Sequence, residues 1–168
     1  AILNYNGPVY MRTGRSPAPR VLSSDYNFEL GKGKVIQDGI DATIVACGVE
    51  LGRALAAAAM LAREGISVRV VNMSTIKPID DELLKKCAVE TGCIVTAEDH
   101  NIYGGLGSAV AESLVQNHPC PVEMVGIRDS FGESGEPEEL AEKFGITAAC
   151  IVEAVKKVLR KKNNGNRC

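Results

Sequence analysis

Cys93-Ile94-Val95-Thr96-Ala97 runs into Glu98-Asp99-His100, and Gly104-Gly105-Leu106-Gly107-Ser108-Ala109-Val110 follows shortly after. An uncharged run rich in β-branched residues reads as a strand buried on both faces. The glycines break it. Beyond them, an apolar and small-residue pattern continues to about Gln116 and reads as a helix. A strand that ends in a glycine turn and hands over to a helix is half of a parallel β-α-β unit.

Working outward, the same alternation recurs. Ser67–Asn72 is a valine-rich strand. Residues 49–63 before it predict a helix with Leu51, Ala54, Leu55, Ala58, Ala59 and Ala62 on its inner face and Gly65 closing it. Pro78 opens a second helix, from about Asp80 to Glu90, and the acidic Asp80, Asp81 and Glu82 suit its N-terminus. Downstream, Pro121–Ile127 predicts the last strand and Pro137–Phe144 a short helix. Thr147 is placed to cap a final helix whose face is Ile151, Val152, Val155, Val158 and Leu159. At the front, Lys34–Gln37 and Thr43–Cys47 read as strands around Asp38-Gly39, spaced for a hairpin. The fold expected is α/β: a three-layer α/β/α sandwich around a mixed, mostly parallel five-stranded sheet with one antiparallel edge strand.

Residues 1–33 read differently. Gly7–Arg12 is a short strand-like run, the prolines at 17 and 19 forbid a helix, and Ser23–Gly33 has no period. We read 1–33 as the end of a preceding domain plus a linker, 34–163 as the main domain, and 164–168 as a disordered tail.

Composition excludes several classes. The chain has 168 residues and a formal charge of −2, and its basic excess is confined to a C-terminal run, Lys156 to Arg167. That run suits a solvated helix face rather than a nucleic-acid surface, so no nucleic acid is expected. The longest apolar runs are too short to span a bilayer, and no secretory signal is visible, so no membrane association is expected. The six cysteines include no C-x-x-C pair, and there are only two histidines. No zinc site is expected; Cys47 and Cys93 read as core thiols, and the setting as a reduced cytoplasm.

Three motifs sit where chemistry could. Glu98-Asp99-His100 with Gly104, Gly105 and Gly107 lies at a strand-to-helix junction, where α/β sheets bind ligands and helix N-termini attract anions. The pattern is G-G-x-G and not the dinucleotide G-x-G-x-x-G, and no phosphate-loop signature is present. It reads first as a tight turn whose carboxylates satisfy backbone donors, and only second as a binding site. Arg12 and Arg15, around Gly14, could present a guanidinium to a phosphate. Thr75-Ile76-Lys77-Pro78-Ile79-Asp80 reads chiefly as the start of a helix. Ser108 lies near His100 in sequence, but no nucleophile elbow accompanies it.

In order and spacing, Arg69–Asp80, Thr96–His100, Gly104–Val110, and Ser134-Gly135-x-Pro137-x-Glu139-Leu140 with Phe144-Gly145-Ile146 resemble the C-terminal part of a transketolase. The Phe131–Gly135 run is similar to transketolases split into two subunits, or to their single-chain neighbours. The resemblance implies transfer of a two-carbon ketol unit between sugar phosphates, with thiamine diphosphate and magnesium or calcium as cofactors of the complete enzyme. It implies the missing N-terminal domains or subunit as partner, a homodimer, and a fragment that binds no cofactor and is inactive alone. No Gly-Asp-Gly followed by Asn-Asn, the family's metal–diphosphate signature, is present. Residues 1–20 resemble the last strand of the pyrimidine-binding domain. There the family places a phosphate-contacting arginine, which matches Arg15, with Arg12 the second candidate. No residue of this chain is expected to be catalytic or to bind metal. Glu98, Asp99, His100, Gly104, Gly105 and Gly107 line a crevice of structural or anion-binding character. The alternatives are 1-deoxyxylulose-phosphate synthase, the β subunit of a 2-oxo acid dehydrogenase, a non-catalytic regulatory module and a nucleotide-binding domain.

Overall fold

In a computed structural model, which describes residues 1–14 and 17–165, five strands form one sheet in the order β1-β3-β2-β4-β5. They are β1 (Lys34–Gln37), β2 (Ala42–Ala46), β3 (Val68–Asn72), β4 (Ile94–Asn101) and β5 (Val122–Ile127). Strands β2 to β5 run parallel, and β1 is antiparallel to β3 at one edge. Helices α1 (Glu50–Arg63), α2 (Asp81–Thr91), α3 (Leu106–Asn117), α4 (Pro137–Phe144) and α5 (Ala148–Gly165) cover both faces. No helix among the described residues is long and apolar enough to cross a membrane.

The central strands explain the sheet. Every residue of β2 and β3 is buried, including the polar Thr43, Arg69 and Asn72, as befits strands covered on both sides. One core layer joins Ile44, Val70 and Val95 to Leu51, Ala54, Ala58 and Leu61 of α1 and to Ile151, Val155 and Val158 of α5. The other joins Val45, Val71 and Ile94 to Leu84 of α2 and to Leu106, Val110 and Leu114 of α3. Alanines at 54, 57 and 58 let α1 lie close to the sheet. The inner face of α1 is rotated from the one predicted: Ala57 and Leu61 are buried, whereas Ala59 and Ala62 face solvent. Local signals set the other helix ends. Asp80 caps α2 by accepting from the Leu83 N–H at 3.2 Å, and Thr147 Oγ1 accepts from the Cys150 N–H at 3.3 Å.

The hairpin expected between the first two strands does not form, because β3 lies between them. The turn at Asp38-Gly39 crosses the start of β3 instead of doubling back. A Cβ on residue 39 would overlap the Val68 carbonyl carbon, so only glycine allows the crossing. Asp38 is held there by Arg69 Nε at 2.8 Å, and Ile40 and Asp41 both donate to the Ser67 carbonyl. Glu90 takes the other end of Arg69 at 2.5 Å.

Other expectations shift at their ends. The run Gly7–Arg12 is not a strand, and the turn Ile2–Asn4 is the only regular element among the described residues before β1. Strand β4 runs on through Glu98, Asp99 and His100 instead of ending before them, rejoining β5 at Asn101–Ile127 after an irregularity. Helix α5 reaches Gly165, inside the stretch read as a tail. Cys93 is buried, but Cys47 is only partly so.

Candidate functional site

The connection after β2 leads through α1 to β3 on one side of the sheet; the connection after β4 leads through α3 to β5 on the other. The sheet therefore has its switch point between β2 and β4, and the crevice at their C-terminal ends is the position where α/β sheets receive ligands. Glu98, Asp99, His100, Cys47, Gly48 and Glu50 all lie at this end of the two strands.

Glu98 is buried, and its carboxylate spans the start of α3. Oε2 accepts from the Leu106 N–H and Oε1 from the Gly107 N–H, both at 2.7 Å. Those amides open a helix and have no partner within it. A carboxylate there also faces the positive end of the helix dipole. The place an anionic ligand would take is filled by a side chain of the chain itself. Burial pushes the Glu98 carboxyl up, while the two amides, His100 and Arg12 pull it down. Gly105 makes the arrangement possible, since a Cβ at that position would overlap Glu98 Oε2.

Asp99 and His100 point outward and are exposed. The Asp99 carbonyl accepts from Arg12 Nη1 at 2.7 Å, which ties the N-terminal segment to the end of β4. Arg15 lies outside the described residues. His100 Nδ1 sits 2.9 Å from the Asn101 carbonyl. Ser108 Oγ accepts from the Gly104 N–H at 2.9 Å and donates to the Ile102 carbonyl at 3.0 Å. His100 and Ser108 are thus each engaged with backbone and do not form a nucleophile–base pair.

The crevice contains one pair that sequence reading missed. Glu50, the first residue of α1, is wholly buried. Its Oε1 lies 2.5 Å from Arg53 Nη1, and its Oε2 has no partner among the described residues. Burial pushes its carboxyl up to about 7; Arg53 opposes the rise, and the charges of Asp99 and Glu138 add to it. Arg53 also donates to Glu138 Oε1 at 3.2 Å and to the Ile146 carbonyl at 3.4 Å, so it links α1 to α4 and to the connection that precedes α5. The sequence signal was a Glu-x-x-Arg at a helix start directly after a strand; nothing in it revealed complete burial. Cys47 beside it has its thiol pushed up to about 12 by burial and by the neighbouring carboxylates of Glu98 and Glu50, with Arg12 opposing. A thiol so far from ionisation is unreactive.

Among the described residues, no three His, Cys, Asp or Glu side chains converge as metal ligands. The Glu98 carboxylate is taken by backbone amides and that of Glu50 by Arg53. These groups do not fit a metal–diphosphate site.

Comparison with known proteins places this geometry. The family model described as transketolase, C-terminal domain, matches residues 31–151. The chain is 48% identical over 162 residues to the 6-deoxy-6-sulfo-D-fructose transketolase subunit of Clostridium sp. strain MSTE9, covering 96% of this chain and 50% of that one. It is 40% identical over 161 residues to an apulose-4-phosphate transketolase subunit of Phocaeicola vulgatus, covering 95% and 51%. A solved structure described as a split gene transketolase, inactive β4 tetramer, superposes with a TM-score of 0.90 at 54% identity, covering 93% of this chain and 51% of that one. The chain thus spans about half the length of the relatives it matches.

Proposed function

The chain belongs to the transketolase family, whose C-terminal domain it carries, and we propose that it is the C-terminal part of a thiamine-diphosphate-dependent transketolase that moves a two-carbon ketol unit between anionic sugars. Residues 34–163 are the C-terminal domain in this reading, and residues 1–33 are the end of the pyrimidine-binding domain with its linker. The cofactor supplies the electron sink for the ketol carbanion when bound. The described residues of this chain do not fit it, so in this reading it is held by the other domains or subunit of the enzyme. The chain's own contribution is architectural, and one observation carries that reading: the helix N-terminus that could have taken a phosphate is occupied by Glu98.

Arg15 is the substrate-facing residue in this proposal, a guanidinium matched to the terminal anion of the sugar. The relatives' names fit such a substrate, one carrying a sulfo group and one a phosphate. Magnesium or calcium accompanies the cofactor outside this chain, and the compartment is the cytoplasm. Alone, the chain is inactive and self-associates; the relative described as an inactive β4 tetramer supports both points.

The test is ketol transfer from xylulose 5-phosphate to ribose 5-phosphate with thiamine diphosphate and magnesium. The chain is assayed alone and together with the complementary domains expressed separately. Silence alone and turnover on reconstitution is the expected result, with Arg15→Ala raising KM for the phosphorylated sugar. Turnover by the chain alone overturns the proposal, as does silence of the reconstituted pair on both phosphorylated and sulfonated ketoses.

A further inference from the structure

The sheet has two edges, and the chain covers one of them itself. Along β1 lies the segment 21–26: Lys34 Nζ stands 5.5 Å from the centre of the Tyr26 ring, and Leu22 packs on the same core layer as Ile36 of β1. Strand β5 forms the other edge, and among the described residues it pairs with β4 alone. Ile94 and Ile102 donate to the carbonyls of Pro121 and Ile127, so the odd-numbered residues of this strand turn their backbone groups toward β4. By the alternation of a strand, Val122, Met124 and Gly126 turn theirs outward. The Met124 carbonyl accordingly accepts from the side chain of Arg128, at 3.2 Å. An edge of this kind is a template for one more strand.

Beside the open edge runs a groove of about 250 Å³ between β5 and α5. Its middle is small and apolar, lined by Val125, Cys150 and Ala154. Cations stand at its two ends. Arg128 closes the C-terminal end of β5; Lys157 and Arg160, one turn apart on α5, lie toward the N-terminal end, where Lys157 and Lys161 both hold the buried Glu123. Glu123 is thus shared by two lysines, and Glu153 is paired with Lys156 at 3.7 Å, which leaves Arg128 and Arg160 as the net charge of the groove. We infer that the groove receives an extended acidic segment of a partner polypeptide, which joins β5 as a sixth strand. The inference goes beyond the ketol-transfer reading and does not depend on it. Main-chain hydrogen bonds to Val122, Met124 and Gly126 supply affinity, and alternate side chains supply specificity. Residues on one face of a strand recur every 6.6 Å or so, at about 3.3 Å per residue. An apolar side chain over Cys150 and Ala154 therefore places its neighbours two residues away over Arg128 on one side and over Lys157 and Arg160 on the other. Those two neighbours should be Asp or Glu, which arginine grips in bidentate form. Arg128 exchanges the Met124 carbonyl for a carboxylate and leaves that carbonyl to an N–H of the incoming strand.

Fluorescence anisotropy with the labelled peptide Glu-Thr-Val-Thr-Glu tests this on the chain as it stands. The peptide should bind at least tenfold more tightly than Lys-Thr-Val-Thr-Lys. N-methylation of its three central residues removes donors that a strand needs in either direction and should weaken binding at least tenfold. Arg128→Glu with Arg160→Glu should weaken it by a similar factor. Lys85→Glu, which reverses an exposed charge on α2, is the control and should leave it unchanged. Amide shifts in NMR spectra should be largest at Val122, Met124 and Gly126, and circular dichroism checks that each variant is folded. Binding indifferent to N-methylation overturns strand addition and marks a site for acidic groups alone. Binding indifferent to the Arg128 and Arg160 changes, or weakened equally by Lys85→Glu, overturns the groove assignment. No binding at millimolar peptide overturns the inference and leaves Arg128 as a guard against unwanted pairing of the edge.

Discussion

Glu50 makes the stability of this fold depend on pH in a direction opposite to that of most carboxylates. In the unfolded chain its carboxyl ionises near 4.5; in the folded chain burial holds it at about 7. Between those values the folded state keeps a proton that the unfolded state has released. Stability therefore falls as pH rises through this window, and the loss is complete above about pH 8. At about 1.4 kcal/mol for each tenfold change in proton affinity, the loss comes to about 3 kcal/mol. Glu50→Gln removes the titration and retains an oxygen for Arg53. Urea unfolding from pH 5 to pH 8.5 should show the variant equal to the wild type, or about 1 kcal/mol less stable, at the acidic end. An unpaired amide in place of the lone oxygen accounts for that small deficit. At the alkaline end the variant should be the more stable by about 2–3 kcal/mol. All other titrating groups are shared, so they cancel in the difference between the two curves. Parallel curves for the two proteins refute the reasoning and mean that Glu50 is solvated or fully paired.

Gly105→Ala pushes a methyl group into the Glu98 carboxylate and detaches it from the two amides of α3. Calorimetry should record a loss of about 3 kcal/mol, the scale of a broken buried network. Gly132→Ala, where a Cβ meets open space, should lie within about 0.5 kcal/mol of the wild type. Glu98→Gln keeps one acceptor but presents an amide donor to another donor, so unfolding in urea should show a cost of about 2 kcal/mol. Lys162→Met removes an ammonium that donates to the carbonyls of Thr91 at 2.9 Å and Asp41 at 3.1 Å, at the C-terminal end of α2. It should lower the urea midpoint by an amount equivalent to about 1–2 kcal/mol, and hydrogen exchange should show the last turn of α2 opening.

Periodicity and punctuation were enough to locate the main elements. The valine-rich run before Met73, the Pro137 and Gly145 that bracket α4, and the apolar stripe of α5 each state their structure locally, because the forces that shape them act over a few residues. The turn chemistry at Asp38-Gly39 was also legible, but its partner strand was not. Pairing is a contest between distant segments, and Gly39 against Val68, with Asp38 against Arg69, decided it for β3 over β2. The inner face of α1 shifted for a similar reason, since a helix of alanines can be rotated on the sheet at little cost.

At the crevice the division is sharper. The residue types Glu98, Gly105 and Gly107 were visible in sequence and read first as a turn with its donors satisfied, with an anion site as the second reading. Only the folded strand, running on through His100, aims Glu98 at α3 and fills the position itself. Glu50 carried no signal of its own, because burial is a property of what α1, α4 and α5 enclose together. Sequence alone determined the alternation of strands and helices, which follows from local pattern, and carried the motifs whose resemblance pointed to the family. Tertiary structure alone decided which strands pair and which carboxylate is buried without a full set of partners. These depend on the mutual placement of segments far apart in the chain.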